Sequence, residues 1–243
     1  MAPNPGVPCF TWNISSAILL SSMPFPLPSL SLDAFAAELA KHAPEPLSAP
    51  TVDSLYAHYQ KLSLWNRRLS LIGPGTAGTP EDIVARHYGE SLAALPLLPP
   101  EARIGLDLGS GAGFPGIVLA AARPGLAMTL VEARERKWAF LLAAIRRASL
   151  PCTALNVRVG SPLPAGLPAR LDLVTTRALK LDPGMLAALA ERLSDHGRLL
   201  LWVGGEDPEI PPALAFDGSV RLPGSERRRI LRLRRAAAGH DRP

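Results

Sequence analysis

Apolar and polar residues follow two different periods along this chain. Before about residue 100, apolar side chains recur every three or four positions, which predicts helices with one buried face. Thr51 and Thr79 are the predicted N-caps of two of these helices, and Pro80 suits a first helical position. The segments in question are SLDAFAAELAKH from Ser31, TVDSLYAHYQKLSLWNRRLSL from Thr51 and TPEDIVARHYGESLAAL from Thr79.

From residue 103 onwards, short β-like runs alternate with helix-like runs. This alternation predicts an α/β fold in which helices wrap a parallel sheet. A last run, RRRILRLRR at 227–235, is predicted to close the sheet as a final strand. The other strand-like runs are RIGLDL, AMTLVE, ALNVRV, LDLVTT and GRLLLWV, and the helix-like runs are PGIVLAAA, RERKWAFLLAAIRRA and PGMLAALAERL.

The pattern divides the chain into four parts. A helical portion covers residues 31–100, an α/β domain covers residues 101–235, and a basic tail covers residues 236–243. Residues 1–30 have little period and several prolines, as in a disordered tail. Alternatively, translation starts at Met23 and the residues before it are an artefact of gene prediction; the sequence leaves both readings open.

The composition narrows the class of protein. With 47% apolar and 19% charged residues in a chain of 243, it is typical of a globular protein that buries a sizeable core. The net charge of +5 favours an anionic partner only weakly. Cys9 and Cys152, the two cysteines, form neither a disulfide framework nor a metal-ligand spacing, so we expect a cytoplasmic protein without a metal. No run is long and apolar enough to predict a membrane span.

Four glycines crowd the stretch RIGLDLGSGAGFPGIVLA, residues 103–120, between a predicted strand and a predicted helix. Such a turn lets a ligand approach bare backbone at the carboxyl end of the sheet. Residues 111–116, GAGFPG, match the dinucleotide fingerprint G-x-G-x-x-G, which alone is a weak signal. The alternative reading is the DLGSGAG loop of methyltransferases that use S-adenosylmethionine (AdoMet), with Asp107 followed by Gly109, Gly111 and Gly113.

The position of Asp107 favours AdoMet over a dinucleotide. AdoMet carries an ammonium and a sulfonium, which a carboxylate attracts, whereas the same carboxylate repels a pyrophosphate. The loop also follows some hundred residues, whereas a dehydrogenase more often has its fingerprint near the start of the domain. Glu132, at the end of the next predicted strand, can accept hydrogen bonds from ribose hydroxyls of either cofactor.

Several strings in this chain resemble those of one family, the bacterial small-subunit (16S) rRNA guanine-N7 methyltransferases, also called glucose-inhibited division protein B. The resemblance covers about residues 50 to 235, and the Phe-Pro-Gly extension of the glycine loop is its most specific part. The matching strings are LWNRRLSLI at 64–72, RHYGESLA at 86–93, LDLGSGAGFPGI at 106–117, LVEARERKWAFL at 130–141 and VTTRAL at 174–179.

The resemblance implies a Rossmann-like AdoMet-dependent methyltransferase with a small N-terminal helical portion. It implies that the enzyme works as a monomer on 16S rRNA or the small ribosomal subunit, in the cytoplasm. Gly109 and Phe114 would then contact AdoMet, Val159 and Gly160 would flank its adenine, and Arg177 would line both the cofactor and the target site. The chain departs from the family at Glu90, where Asp is usual, and at Val203, where Lys is common.

Methylation at guanine N7 needs no general base, because N7 carries a lone pair and no proton. Catalysis is then a matter of alignment and exclusion of water, and the sequence accordingly offers no acid–base dyad. Arg177 is the residue for which we predict a catalytic role, through guanine O6 or a neighbouring phosphate.

Other functions remain open at this point. They are an NAD-type oxidoreductase that uses G-x-G-x-x-G, a non-catalytic RNA-binding factor on the same fold, and a methyltransferase for a small molecule. We read the cations at residues 134–147 mostly as a solvated helix face, and the arginine-rich run from Arg221 partly as a charged edge strand and partly as phosphate contacts.

Overall fold

The centre of the molecule is a seven-stranded sheet in the order β3-β2-β1-β4-β5-β7-β6. The computed structural model describes residues 25–76 and 78–237. Strands β1 to β5 pair in parallel, and β7 runs antiparallel to both β5 and β6. The strands are β1 (Ile104–Leu108), β2 (Ala127–Val131), β3 (Cys152–Leu155), β4 (Leu171–Arg177), β5 (Leu193–Val203), β6 (Leu214–Arg221) and β7 (Arg229–Arg235).

The predicted α/β class and most of the predicted strands are confirmed. Strands β1 and β4 are apolar runs that are buried on both faces, as expected of central parallel strands. The third strand begins and ends earlier than the predicted run at 154–159, and β6 was not predicted at all. Its sequence, LAFDGSVR, is largely exposed or half-buried at the sheet edge and leaves Phe216 exposed.

The helices flank this sheet, and a helical segment precedes it. Helix α3 continues through a π-helical turn at Val84–Gly89 into α4. The helices are α1 (Leu32–Ala40), α2 (Ala49–Asn66), α3 (Pro80–Ile83), α4 (Glu90–Leu92), α5 (Gly116–Ala122), α6 (Glu135–Ala148) and α7 (Pro183–Arg192).

One of the two predicted N-caps is confirmed and the other is wrong. Thr79 caps α3 in a capping box with Asp82, as predicted. Thr51 does not cap α2: the cap is Ser48, whose side chain accepts from the Thr51 amide. The Thr51 hydroxyl instead donates to the carbonyl oxygen of Ala121 at 3.1 Å, which ties α2 to the end of α5.

The N-terminal helices share one hydrophobic core with the α5 and α6 face of the sheet. Residues 25–30 belong to this packing, since Leu27 is buried and Tyr56 donates to the carbonyl oxygen of Leu30 at 2.8 Å. The predicted boundary of the tail at residue 30 therefore falls inside a packed segment. The proposed start at Met23 and most of the predicted tail at 236–243 lie outside the described residues.

Within residues 25–76 and 78–237, no helix combines the length and the apolar character that crossing a bilayer requires.

Candidate functional site

The glycine-rich loop follows β1 directly and ends at the start of α5. Gly109, Gly111 and Gly113 have φ angles of 70°, 55° and 90°, a region that side-chain-bearing residues rarely adopt. Gly116 has a different reason to be glycine: a Cβ there would lie 2.4 Å from Leu130 Cδ2 on β2. The loop thus exposes backbone at the carboxyl end of β1 and lets α5 pack closely on the sheet.

Glu132 ties the glycine loop to the end of β2. One carboxylate oxygen accepts from the Gly111 amide at 3.0 Å, and the other accepts from the Arg134 amide at 2.8 Å. The side chain is almost completely buried. Because both oxygens have further lone pairs, Glu132 can hold the loop and still accept a hydrogen bond from a ligand.

A cavity of about 490 Å³ opens above this loop, at the carboxyl ends of the strands. That volume and place are typical of a small-molecule site in an open α/β sheet. The N-terminal portion contributes His87 and the turn at residues 71–73. The predicted site residues on its wall are Gly109, Gly111, Phe114, Glu132, Val159 and Arg177.

Three predicted site residues do not reach this wall. Gly113 lies beneath the loop, where a Cβ would collide with Ile117, and Gly160 lies beyond Val159 in open space. Asp107 is completely buried, and its Oδ1 accepts from the Thr175 hydroxyl at 2.7 Å. Asp107 therefore does not reach the cavity, and a cationic ligand bound there would not contact it directly.

Burial changes the pKa of the Asp107 carboxyl. It raises the pKa of Asp107 to about 6, although the hydrogen bond from Thr175 favours the ionised form. Its Oδ2 has no hydrogen-bond partner among the described residues. The side chain projects from β1 toward α5, because a Cβ on Gly116 would lie 2.9 Å from Asp107 Oδ2. Asp107 therefore supports the loop from below.

Phe114 forms the apolar end of the loop and packs among aromatic rings of the N-terminal portion. Its ring stacks on His87 with centroids 5.1 Å apart and meets Tyr88 edge-on at 5.0 Å. His58 meets the same ring edge-on at 5.3 Å. Residues of the N-terminal portion, outside the α/β domain, thus fix the position of Phe114, which is a predicted cofactor contact.

His58 connects α2 to the glycine loop through hydrogen bonds. Its Nε2 lies 2.9 Å from the Ala112 carbonyl oxygen, and its Nδ1 lies 2.8 Å from the Tyr88 hydroxyl. A carbonyl only accepts, so Nε2 carries the proton and Tyr88 donates to Nδ1. Burial lowers the pKa of His58 to about 4, which keeps it neutral. Sequence reasoning missed this role, although His58 lies one helical turn after buried Leu55 on the apolar face.

A buried carboxylate holds Arg177 at the cavity wall. Glu90 Oε2 accepts from Arg177 Nη2 at 2.8 Å, and the same nitrogen donates to the Arg86 carbonyl oxygen at 2.9 Å. The other carboxylate oxygen lies 3.2 Å from Arg86 Nε and contacts Arg228 Nη1. One carboxylate thus faces three guanidinium groups, which leaves a local excess of positive charge beside the cavity.

One nitrogen of the Arg177 guanidinium has no hydrogen-bond acceptor in the described part of the chain. Its Nη1 is buried and has no hydrogen-bond partner among the described residues, and its side chain lines the cavity. Burial, followed by the charge of Arg86, lowers the pKa of Arg177 to about 10, so it stays protonated at neutral pH. A buried unpaired donor is costly, so an acceptor that reached Nη1 would stabilise this arrangement.

The π-helical turn at Val84–Gly89 places His87 on the same wall and Arg86 beside Glu90. Such turns are often found at functional sites. Burial, and then the charges of Arg177 and Arg86, lowers the pKa of His87 to about 3. His87 is therefore a neutral ring packed on Phe114 rather than an acid or base at neutral pH. The described residues on the cavity wall can position a ligand, but they include no paired acid and base.

Comparison with known proteins decides between the readings of the loop. The sequence profile of the family described as rRNA small subunit methyltransferase G matches residues 51–210. The chain belongs to the rRNA small subunit methyltransferase G family. Membership confirms the predicted family, and with it a methyltransferase that depends on AdoMet, and it rules out the oxidoreductase reading of G-x-G-x-x-G.

Two relatives show how far the methyltransferase G resemblance extends. Ribosomal RNA small subunit methyltransferase G of Acidiphilium cryptum is 40% identical, over 71% of this chain and 81% of the relative. The protein of the same name from Desulfotalea psychrophila is 33% identical, over 75% of this chain and 82% of the relative. Both alignments span most of each protein.

The predicted Rossmann-like methyltransferase fold is confirmed as well. The structure of mitomycin 7-O-methyltransferase MmcR superposes on this chain with a TM-score of 0.51. The two sequences are 18% identical, and the match covers 92% of this chain and 76% of MmcR. At that identity the similarity supports the fold alone.

Proposed function

We propose that this protein transfers the methyl group of AdoMet to N7 of a guanine in 16S rRNA, as a monomer in the cytoplasm. The observation that carries the proposal is the cavity above the glycine loop, in a member of this family, with Arg177 on its wall and Nη1 of that residue buried without a partner among the described residues. The names of the relatives, which specify the RNA of the small ribosomal subunit, support the acceptor.

The volume of the cavity and the groups on its wall suit AdoMet. The bare backbone at Gly109 and Gly111 leaves room for a ligand, because a Cβ at Gly111 would meet nothing closer than 3.7 Å. Glu132 would accept hydrogen bonds from the ribose hydroxyls, and Val159 would cover one face of the adenine. Bound AdoMet supplies a methyl group on a positively charged sulfur.

The residues around the cavity act by positioning and by exclusion of water. Guanine N7 needs no base, and the neutral, packed ring of His87 offers none at neutral pH. Arg177 Nη1 would donate to O6 of the target guanine or to an adjacent phosphate, and so orient N7 toward the methyl group. The Glu90 cluster holds Arg177 in that orientation.

Methyl transfer from labelled AdoMet tests the proposal. The acceptors are small ribosomal subunits from bacteria that lack the family's enzyme, the 16S rRNA extracted from them, and a matched set of large subunits as control. Label in small-subunit RNA alone supports the proposal, and the comparison of the first two acceptors identifies the natural substrate. Label in none of them, despite AdoMet binding, would contradict it and would favour the non-catalytic RNA-binding reading.

A further inference from the structure

A second cavity lies between the end of α2 and the start of α6, outside the site described above. Its volume is about 580 Å³, larger than that of the cavity above the glycine loop. We call it the α2–α6 groove. Its lining residues are Leu64, Trp65, Arg67, Arg68, Leu69, Arg136 and Ala139.

The cations of this groove are not neutralised. Arg67, Arg68 and Arg136 are exposed and take part in no ion pair among the described residues. Arg67 caps the C-terminus of α2, Arg68 follows it, and Arg136 lies in the first turn of α6. The ends of the two helices thus bring the three charges to one place.

The arginines of the C-terminal strand β7, in contrast, are paired with carboxylates. Arg229 pairs with Asp207 at 2.6 Å, and Arg232 pairs with Asp217 at 3.0 Å. Arg235 contacts Asp195. The register of the sheet thus neutralises much of the charge that the sequence concentrates in β7. The three arginines of the α2–α6 groove, in contrast, have no such partner among the described residues.

At two places, residues that line the groove are close in sequence to residues that line the AdoMet cavity. The chain passes from Leu69 in the groove to residues 71–73 on the cavity wall. On α6, Arg136 is followed directly by Lys137, which lines the cavity. A strand of RNA that delivers a guanine to the cavity could therefore continue along the groove.

The floor of the groove is apolar. Leu64 is 57% exposed, more than any other leucine among the described residues. Trp65 is half-buried and meets Phe140 edge-on with ring centroids 5.9 Å apart. Apolar surface flanked by cations suits a single-stranded nucleic acid, since bases cover the floor while phosphates contact the arginines.

We propose that the α2–α6 groove is an RNA-docking site, in which Arg67, Arg68 and Arg136 bind phosphates of the RNA that flanks the target nucleotide and Leu64 contacts its bases. The proposal rests on the proposed function for the identity of the RNA. It goes further because it names a surface, outside the cavity where the methyl group is transferred, that holds the substrate.

Binding of 16S rRNA to the full-length protein tests this without any methyl transfer. The test variant is R67Q/R68Q/R136Q, and the matched control is R146Q/R147Q, which removes two exposed cations at the far end of the same helix. With about 0.7 counterions released per contact on single strands, loss of three contacts lowers the slope of log K against log salt by about 2. The same loss weakens binding about a hundredfold at ~0.1 M salt. The control keeps the affinity and slope of the wild type, apart from a small general charge effect.

Leu64→Ser separates the apolar contact from the ionic ones. It should weaken RNA binding and leave the salt slope unchanged; an unchanged affinity would contradict the base contact. AdoMet affinity should be unaffected in every variant, because the groove lies outside the cofactor cavity.

The outcomes separate this proposal from the proposed function. An unchanged affinity and slope in the triple variant would overturn the docking site even if the wild type methylates 16S rRNA. A loss of affinity for whole subunits but not for free rRNA would overturn it too, and would assign the groove to a ribosomal protein. A groove-dependent affinity in a wild type that transfers no methyl group would support docking and contradict the proposed function.

Discussion

Glu90 Oε2 and Arg177 Nη2 lie 2.8 Å apart, and they join a helix of the N-terminal portion to the end of β4. Glu90 is almost completely buried, and Trp202 Nε1 also donates to its backbone oxygen at 3.0 Å. The pair fixes the guanidinium of Arg177, which lines the cavity and whose Nη1 is buried without a partner among the described residues. It is the link between the N-terminal helices and the proposed chemistry.

Removal of the Glu90 charge should both loosen and destabilise the site. In Glu90→Gln three guanidinium groups lose their shared carboxylate, and we expect a loss of about 3 kcal/mol in the free energy of unfolding. We also expect at least a tenfold fall in kcat, because Arg177 is no longer held. Glu90→Asp is the control: it keeps the charge and should retain most of both properties. Denaturant unfolding and methyl-transfer assays check this, and equal effects of the two substitutions would contradict it.

Arg177→Ala should nearly abolish methyl transfer while the protein remains folded. The remaining arginines, Arg86 and Arg228, still neutralise Glu90, so the cluster survives the loss of one member. We expect kcat/KM to fall by about a hundredfold or more, the range seen when one charge-stabilising donor is removed. Arg177→Lys keeps the charge without the planar fork and should recover only part of the rate. Transfer at the wild-type rate in Arg177→Ala would refute this role.

His58 should make stability depend on pH. Its pKa is lowered to about 4, below its ordinary value of 6.5, so the unfolded chain binds more protons between these pH values. The stabilisation is complete above about pH 6.5 and is lost as pH falls toward 4, by a total of about 3 kcal/mol. Asp107, whose pKa is raised to about 6, works in the opposite direction over the same range.

The variant His58→Gln isolates the contribution of the histidine. The amide keeps a donor for the Ala112 carbonyl but does not titrate, so the unfolding free energy should change less between pH 7 and pH 4.5 than in the wild type. Urea unfolding at a series of pH values measures it. Parallel pH profiles for the two proteins would show that His58 is not the titrating group.

Gly111→Ala should weaken AdoMet binding more than it weakens the fold. Its φ of 55° costs an alanine about 1–2 kcal/mol, and its Cβ would extend into open space at the cavity. Gly166→Ala is the matched control, with a φ of 86°, no neighbour within 4 Å and no place in the cavity wall. Thermal unfolding should respond similarly in both, whereas calorimetric AdoMet affinity should fall at least tenfold only in Gly111→Ala. Equal affinities would remove Gly111 from the cofactor site.

The sequence predicts the glycine loop and the central strands because each depends on local properties. Strand β1 is buried on both faces, so its apolar run is visible without knowledge of the fold. Strand β6 escapes prediction because it lies at the edge and contains Asp217 and Gly218, which break any apolar run. The predicted cap at Thr51 is wrong because Pro50 occupies a first-turn position, which places the start of the helix at Ser48.

The parts of the site that sequence reasoning missed depend on contacts between distant residues. Glu90 and Arg177 are 87 positions apart, and no periodicity connects them. The arginines of β7 look free in the sequence, but their carboxylate partners are aligned by the register of the sheet. Asp107 was predicted to face the ligand because of its place in a motif, whereas the pleat of β1 directs it toward α5.

The most direct test of the account is the identity of the methylated atom. Small ribosomal subunits from bacteria that lack the family's enzyme are incubated with this protein and AdoMet, and the 16S rRNA is digested and its modified nucleosides are identified and located. We expect 7-methylguanosine at a single position, in amounts approaching one per RNA, and little with Arg177→Ala. A methyl group on any other atom, or 7-methylguanosine scattered over many guanines, would contradict it.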